Sequence, residues 1–311
     1  MTRILITGAA GAVGQALMQE LAGTGHEVIA TDLRRPTLPD GVRFEVLDVT
    51  TDAPDHVIGA VKPDTVVHLA SIVSPPKNST REFEYDVDVN GSRAVIGACV
   101  THGVGRIVVT SSGAAYGYHA DNAVPLTETD PIRGNEAFPY SHHKRLVEEM
   151  LAEARRDHPE LQQVILRVGT VLGAGVENQI TALFRSPKLL MLRGYESPFV
   201  FIWTKDLARI LLRAATNGPA GIFNVAGDGA LGLPDLAKAM GKPLRQLPAW
   251  LIEAALRVAK PLGLARYGPE QVRFLKYRPV LDNTALKQDF GYTPELTSAE
   301  VFELWKRAAG L

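Results

Sequence analysis

Tyr140 and Lys144 lie four residues apart in the stretch FPYSHHKRLVEEML, which follows a proline and reads as a helix. Residues at that spacing share a helical face, so an ammonium stands beside a phenol. An isolated tyrosine ionises near pH ~10, and a neighbouring positive charge favours the phenolate. Such a phenol can take a proton from an alcohol or return it to a carbonyl oxygen. The plainer use of the same residues is a helix start with a solvated face. A second stretch, VVTSSGAAYG at 108–117, ends a strand-like run in two hydroxyls, Ser111 and Ser112. In parallel sheets, ligands bind beyond the carboxyl ends of the strands. Both serines are therefore expected at a cleft, where a hydroxyl can orient a substrate oxygen, although one of the two can instead cap the following turn.

A dinucleotide would give that proton transfer a hydride partner, and the amino terminus offers a place for one. LITGAAGAVGQAL sets Gly8, Gly11 and Gly14 at three-residue spacing between a strand and a helix. Phosphate binding there needs a tight turn, a bare backbone and free helix N-terminal N–H groups. Tight packing of strand on helix would use the same glycines. Asp32 closes the second strand-like run and can accept both ribose hydroxyls of an adenosine, which favours NAD. Arg34 and Arg35 follow directly, and an arginine there can hold a 2′-phosphate, so NADP stays open. Asp48 ends the third run, where adenine would lie, and the small residues of HLAS leave room for the middle of the dinucleotide. The expected cofactor contacts are Gly8, Gly11, Ala12, Val13, Gly14, Asp32, Leu33, Arg34, Asp48, Val49, Leu69, Ala70, Ser71, Asn90, Ser111, Tyr140, Lys144 and Val168. His68 reads as a packed, satisfied histidine.

These residues need a scaffold. Runs at 3–8, 27–32, 43–48, 65–70, 106–111 and 163–168 read as strands, and several are nearly continuously apolar, as expected of strands buried on both faces. Between the first two, Val13, Leu17 and Leu21 form a helical stripe, ended by Gly23 and Gly25. Strand–helix–strand alternation of this kind predicts an α/β, Rossmann-type, doubly wound parallel sheet over 1–168. The texture then becomes irregular and proline-rich. FIWTKDLARILLRAA (201–215) and GIFNVAG (221–227) read as a helix and a strand that return to the sheet. A smaller, irregular substrate domain is expected over 169–200 and 228–311.

The 311 residues carry 33 Lys plus Arg against 34 Asp plus Glu, a net charge of -1, which gives no electrostatic reason to expect nucleic acid or an anionic membrane as partner. Cys99 is the only cysteine, so no intrachain disulfide can form. No apolar run approaches a membrane span and no signal-peptide pattern opens the chain; a cytoplasmic location is expected. Metal spacings of the HExxH, CxxC or EF-hand type are absent, and His142 and His143 diverge on a helix. No metal is expected. There is no P-loop, and Ser112 lacks a G-x-S-x-G elbow.

Taken in order, the glycine loop, Asp32, Asp48, HLAS, VNG, SSGAAYG, Tyr140-x-x-x-Lys144 and ILRVGTVLG resemble the extended short-chain dehydrogenase/reductases, in their NAD-dependent epimerase/dehydratase-like branch. FIWTKDLARILL and LDNTALKQDFGYTPELT extend the likeness along essentially the whole chain. The resemblance implies that Tyr140 is the acid/base and that Lys144 is its partner, also holding the nicotinamide ribose. It implies that Ser112 is the catalytic hydroxyl and Asn90 a structural asparagine beside the site. It further implies a homodimer through helices near 90–103 and 141–157, with Leu146, Val147, Met150 and Leu151 lining a bundle or facing the chain's own sheet. Two departures matter. Gly169 and Thr170 replace an asparagine usual in sugar-nucleotide epimerases, and SPFVFIWTKD lacks an arginine expected before its helix. The substrate region (LLMLRGY, PFVFIW, LPAWLIEAAL) is instead apolar and aromatic. The expected function is hydride transfer between nicotinamide and a small molecule bearing a hydroxyl or carbonyl. A nucleotide-sugar epimerase or dehydratase is the alternative, and a non-catalytic dinucleotide sensor a more distant one.

Overall fold

In a computed structural model that describes residues 1–311 except 77, 266 and 267, strands β1 (Arg3–Thr7), β2 (Glu27–Asp32), β3 (Arg43–Val46), β4 (Thr65–His68), β5 (Arg106–Ser112) and β6 (Gln162–Val168) follow one another along the first half of the chain. Five shorter strands follow: β7 (Thr170–Leu172), β8 (Leu189–Leu192), β9 (Phe201–Trp203), β10 (Gly221–Val225) and β11 (Leu244–Leu247). Seven strands form one wholly parallel sheet in the order β10-β6-β5-β4-β1-β2-β3. The chain is therefore a Rossmann-type α/β protein with a doubly wound sheet, whose direction of winding changes between β1 and β4.

The alternation of side chains along each strand divides the apolar residues between two layers. Ile4 and Ile6 enter one core with Val67 and Val108, while Leu5 enters the other with Val66, Ile107 and Val109. The residues Ile4, Leu5 and Ile6 of RILIT are apolar without a break because both faces of the strand are covered. The first layer is closed by Leu17, Met18 and Leu21 of helix Ala12–Leu21 and by Leu207, Ile210, Leu211 and Ala214 of helix Thr204–Ala215. The second is closed by Ile58, by Val95, Ile96 and Cys99 of helix Gly91–Thr101, and by Val147 and Leu151 of helix Pro139–Asp157. Each fully buried large aliphatic side chain contributes about 1.5–3 kcal/mol. Val147 and Leu151 thus face the chain's own sheet, which leaves only half-buried Leu146 and Met150 for a bundle between subunits.

The stretch 201–215 is not one helix. Phe201–Trp203 pairs in parallel with β7, and the helix begins at Thr204. Phe201 points into a third core and Ile202 into the first, the period-two alternation of a strand, and burial on both sides outweighs the helical pattern that follows. β10 does return to the main sheet, beside β6. The third core gathers Leu172, Phe199, Leu236, Phe302 and Trp305 around Phe184, whose ring meets those of Phe199, Phe302 and Trp305 edge-on at 5.4–5.6 Å. Among the described residues, no helix is long and apolar enough to cross a membrane.

Candidate active site

A cleft of about 340 Å³ opens over the carboxyl ends of β4, β5 and β6, lined by Leu69, Ser71, Ser112, Tyr140, Lys144 and Val168 among others. The glycine loop leaves β1 and sends Val13 to the cleft wall. Gly8 has φ +69°, and a Cβ there would lie 2.6 Å from the Ala70 nitrogen. A Cβ on Gly14 would lie 2.7 Å from the Gly8 carbonyl oxygen, so the loop closes only without side chains. Helix Ala12–Leu21 starts at Gly11 with no side-chain cap and no acid in its first turn. Its free N–H groups form a cradle suited to a pyrophosphate. Asp32 accepts hydrogen bonds from the Ala10 nitrogen at 3.0 Å and the Leu33 nitrogen at 2.8 Å, one on each carboxylate oxygen. It fixes the loop to β2 and keeps lone pairs for ribose hydroxyls. These features fit NAD.

Other expected contacts fall around that cradle. Ala12 opens the helix and Val13 reaches the cleft wall. Leu33 and Arg34 are exposed beyond β2. Asp48 turns one carboxylate oxygen back onto Thr50, accepting from its nitrogen at 2.9 Å and its hydroxyl at 2.7 Å. Val49 is buried and sits against Gly91.

Ser112, Tyr140 and Lys144 line the same cleft. Pro139 opens helix Pro139–Asp157 at a position that needs no N–H donor. Ser141 ties that helix to the turn Gly113–Tyr116 after β5 by donating to the Ala114 carbonyl at 2.7 Å. Tyr140 lies in the same cleft wall as Ser112; burial pushes its phenol up to about 12, and the nearby Ser112 hydroxyl acts in the opposite direction. The Ser112 oxygen also accepts from the Ala114 nitrogen at 3.1 Å, so the residue expected to orient a substrate oxygen also caps the following turn. Lys144 lies with Nζ 5.5 Å from the centre of the Tyr140 ring and donates to the Thr110 carbonyl at 2.9 Å. Burial lowers its pKa, and the carboxylates of Asp88 and Glu148 act in the opposite direction.

Ser111 is used differently from its neighbour. Its hydroxyl donates to Glu148, which forms a forked ion pair with Arg167, at 2.7 Å from Nη2. Arg167 also donates to the Tyr116 hydroxyl at 2.8 Å. All four side chains are buried, so this network braces β5, β6 and the catalytic helix beneath the cleft. His68 is satisfied, with Nδ1 2.8 Å from Thr7 Oγ1 and Nε2 2.9 Å from Ser92 Oγ. Burial drives its pKa down to about 3, helped by the charge on Lys144.

Asn90 does not reach the cleft. It is exposed, donates to Asp86 at 2.7 Å and accepts from Arg93 at 2.6 Å. The reason is a π-helical turn over Asp86–Asn90, which shifts the inward register to Asp88. That buried carboxylate accepts from the Ser71 hydroxyl at 2.9 Å and the Ile72 nitrogen at 2.8 Å, and lies 2.9 Å from His143 Nδ1. It thus joins the loop after β4 to the catalytic helix, and it lies near Lys144. A second residue missing from the expected set is Arg278, 9% exposed, which stacks 3.9 Å from the Phe199 ring centre in the cleft wall. Beside it stands Tyr118, edge-on to Phe138 at 4.9 Å and Phe274 at 5.3 Å.

Residues 4–226 match the family described as "NAD dependent epimerase/dehydratase family". The chain belongs to that family, and so is an NAD-dependent enzyme of the extended short-chain dehydrogenase/reductase type. An uncharacterized protein of Mycobacterium tuberculosis is 27% identical over 99% of this chain and 84% of its own length. A UDP-glucose 4-epimerase of Azospirillum brasilense is 31% identical over 55% of this chain and 50% of its own. Among solved structures, MoeE5 in complex with UDP-glucuronic acid and NAD superimposes with a TM-score of 0.74 at 26% identity, covering 99% of both chains.

Proposed function

We propose that the chain catalyses hydride transfer between nicotinamide and a hydroxyl-bearing or carbonyl carbon of a small molecule, with Tyr140 as the acid/base. The observation that carries this reading is the meeting of three groups in one cleft: the Tyr140 phenol, the Ser112 hydroxyl beside it, and the Lys144 ammonium over its ring. NAD supplies the hydride acceptor or donor when bound. The loop Gly8 to Gly14, with Ala12 and Val13, holds its pyrophosphate, and Asp32 and Leu33 hold the adenosine ribose. Asp48 and Val49 flank the adenine, and Leu69, Ala70, Ser71 and Val168 enclose the nicotinamide half. Ser112 orients the substrate oxygen toward the phenol. Tyr140 removes its proton when the alcohol is oxidised and returns it in the reverse direction. The buried Lys144 cation stabilises the phenolate and binds the nicotinamide ribose. In this reading residues 169–200 and 228–311 form the substrate side, the protein is cytoplasmic, and two copies pair through helices Gly91–Thr101 and Pro139–Asp157.

A second reading, epimerisation or dehydration of a nucleotide sugar, is favoured by the UDP-glucose 4-epimerase relative and by the ligands in the MoeE5 structure. A panel of alcohols and carbonyl compounds, followed at the NADH absorbance, tests the first. Turnover with net NADH change that disappears in Tyr140→Phe is the expected result. Isomerised UDP-glucose without net NADH would replace the first reading by the second.

A further inference from the structure

The wall of the cleft opposite the glycine loop holds a positive charge that the chain does not neutralise. Arg278 uses Nη1 to donate to the Ser197 carbonyl at 2.6 Å and to its hydroxyl at 3.1 Å. Its Nε is buried with no partner, and among the described residues no hydrogen bond uses Nη2. The Nε–Nη2 edge is the pair of parallel N–H groups whose spacing matches the two oxygens of a carboxylate. Among the described residues no carboxylate pairs with this guanidinium, and burial lowers its pKa to about 9. A charge left in that state is costly unless a ligand neutralises it. The surroundings are otherwise apolar: the guanidinium lies between Phe199 at 3.9 Å and Phe274 at 4.7 Å, and Ile180, Phe138 and Leu281 complete the wall.

The count of charges decides what kind of anion fits. Among the described residues lining the cleft, the cations are Lys144 and Arg278, and the acids are Glu84 and Asp88. Lys144 belongs to the tyrosine. Among the described residues, one arginine therefore remains for the substrate, between aromatic rings. Arg185 pairs with Glu177 outside the cleft, and neither Lys188 nor Arg193 lines it. A diphosphate carries more negative charge than this wall can meet.

We propose that the substrate is a monocarboxylate with an apolar body, whose carboxylate docks on the Nε–Nη2 edge of Arg278 while its hydroxyl or keto carbon faces Tyr140. The assignment rests on the hydride-transfer reading for its second half only. Tyr118, which lines the same cleft and lies in the field of both Tyr140 and Arg278, stands between the two ends of such a molecule. Its phenol stays neutral, because burial raises its pKa, and it is the polar group available to the linking portion.

Calorimetric titration of the NAD-loaded full chain with 3-phenylpropanoate, its uncharged amide and UDP tests the docking half. The acid is expected to bind, and the amide to bind roughly tenfold or more weakly, as loss of a charge-assisted pair implies. Arg278→Met should reduce the acid to the level of the amide. Arg278→Lys, which keeps the charge and removes the fork, should lower the acid-to-amide ratio several-fold and carries the test should the Met variant fail to fold. Absence of acid binding, equal binding of acid and amide, UDP binding more tightly than the acid, or an unchanged ratio in the folded variants would each overturn the proposal. Acid binding should persist in Tyr140→Phe. Turnover surviving in that variant would remove the hydride-transfer reading and leave the docking assignment standing.

Discussion

Replacing Gly8 by alanine concentrates two separable penalties at the point where β1, β4 and the cofactor cradle meet. Gly8 sits at φ +69°, and for an L-residue the left-handed region costs about 1–2 kcal/mol. The new Cβ would also lie 2.6 Å and 2.8 Å from the Ala70 nitrogen and Cα, and 2.8 Å from the Leu69 carbonyl carbon. All three are backbone atoms that cannot rotate away, and overpacking of this kind adds about 1–3 kcal/mol. The sum is about 2–5 kcal/mol. Leu69 and Ala70 also belong to the expected dinucleotide wall, so the displaced backbone should weaken NAD by roughly tenfold for each 1.4 kcal/mol that binding must restore. Gly23 is the control: it has φ +74°, and nothing lies within 4 Å of its would-be Cβ. Gly23→Ala should show the conformational penalty alone and bind NAD normally. Urea unfolding and NAD titration of both variants measure the two quantities. Equal destabilisation of the two variants, with NAD affinity intact in Gly8→Ala, would refute the argument.

Three further outcomes follow from buried groups. Arg167→Met should cost about 3–5 kcal/mol by leaving Glu148 charged and unpaired, and the double variant with Glu148→Leu should recover much of that; a neutral single variant would mean the pair braces nothing. His68 is neutral in the fold and ionises near pH 6.5 once unfolded, so its depressed pKa leaves stability flat above that pH and lowers it as pH falls toward 3. At about 1.4 kcal/mol per pH unit, the wild type should lose roughly 2 kcal/mol between pH 6.5 and 5 from this residue, and His68→Gln should flatten that part of the urea-midpoint curve. Asp88→Asn should loosen the loop at Ser71 and Ile72, seen as faster amide exchange there, whereas Asn90→Ala should leave that exchange unchanged.

The layout was legible wherever one-dimensional periodicity maps directly onto burial. RILIT and RIVVTSS read as two-faced strands because both of their faces are covered, and the glycine loop is recognisable because close backbone approach tolerates no other residue at Gly8 and Gly14. The spacing of Tyr140 and Lys144 likewise survives folding unchanged, since a helix preserves it. What was hidden depends on three-dimensional context. A π-helical turn over Asp86–Asn90 interrupts the 3.6-residue period, and a periodicity reading cannot tell that Asp88 is buried there while Asn90 is exposed. Phe201–Trp203 is too short a strand to stand out before a strongly amphipathic helix. Adjacent serines cannot be told apart until the pleat sends Ser111 to Glu148 and leaves Ser112 at the cleft. Arg278 gave no signal in YRPVLDN, because its meaning lies in burial against Phe199 and in the absence of an acid around it.

Oxidised nicotinamide carries a positive ring, so when bound beside Tyr140 it would favour the phenolate together with Lys144. Ultraviolet difference titration of phenolate, as wild type minus Tyr140→Phe, measures this directly with and without NAD⁺. Without the cofactor, the Tyr140 phenolate should form only near pH 12, as burial dictates. With NAD⁺ its titration should move well below that, and in Lys144→Met it should move less. A Tyr140 titration that NAD⁺ leaves in place, or a cofactor-induced phenolate that persists in Tyr140→Phe, would contradict the account.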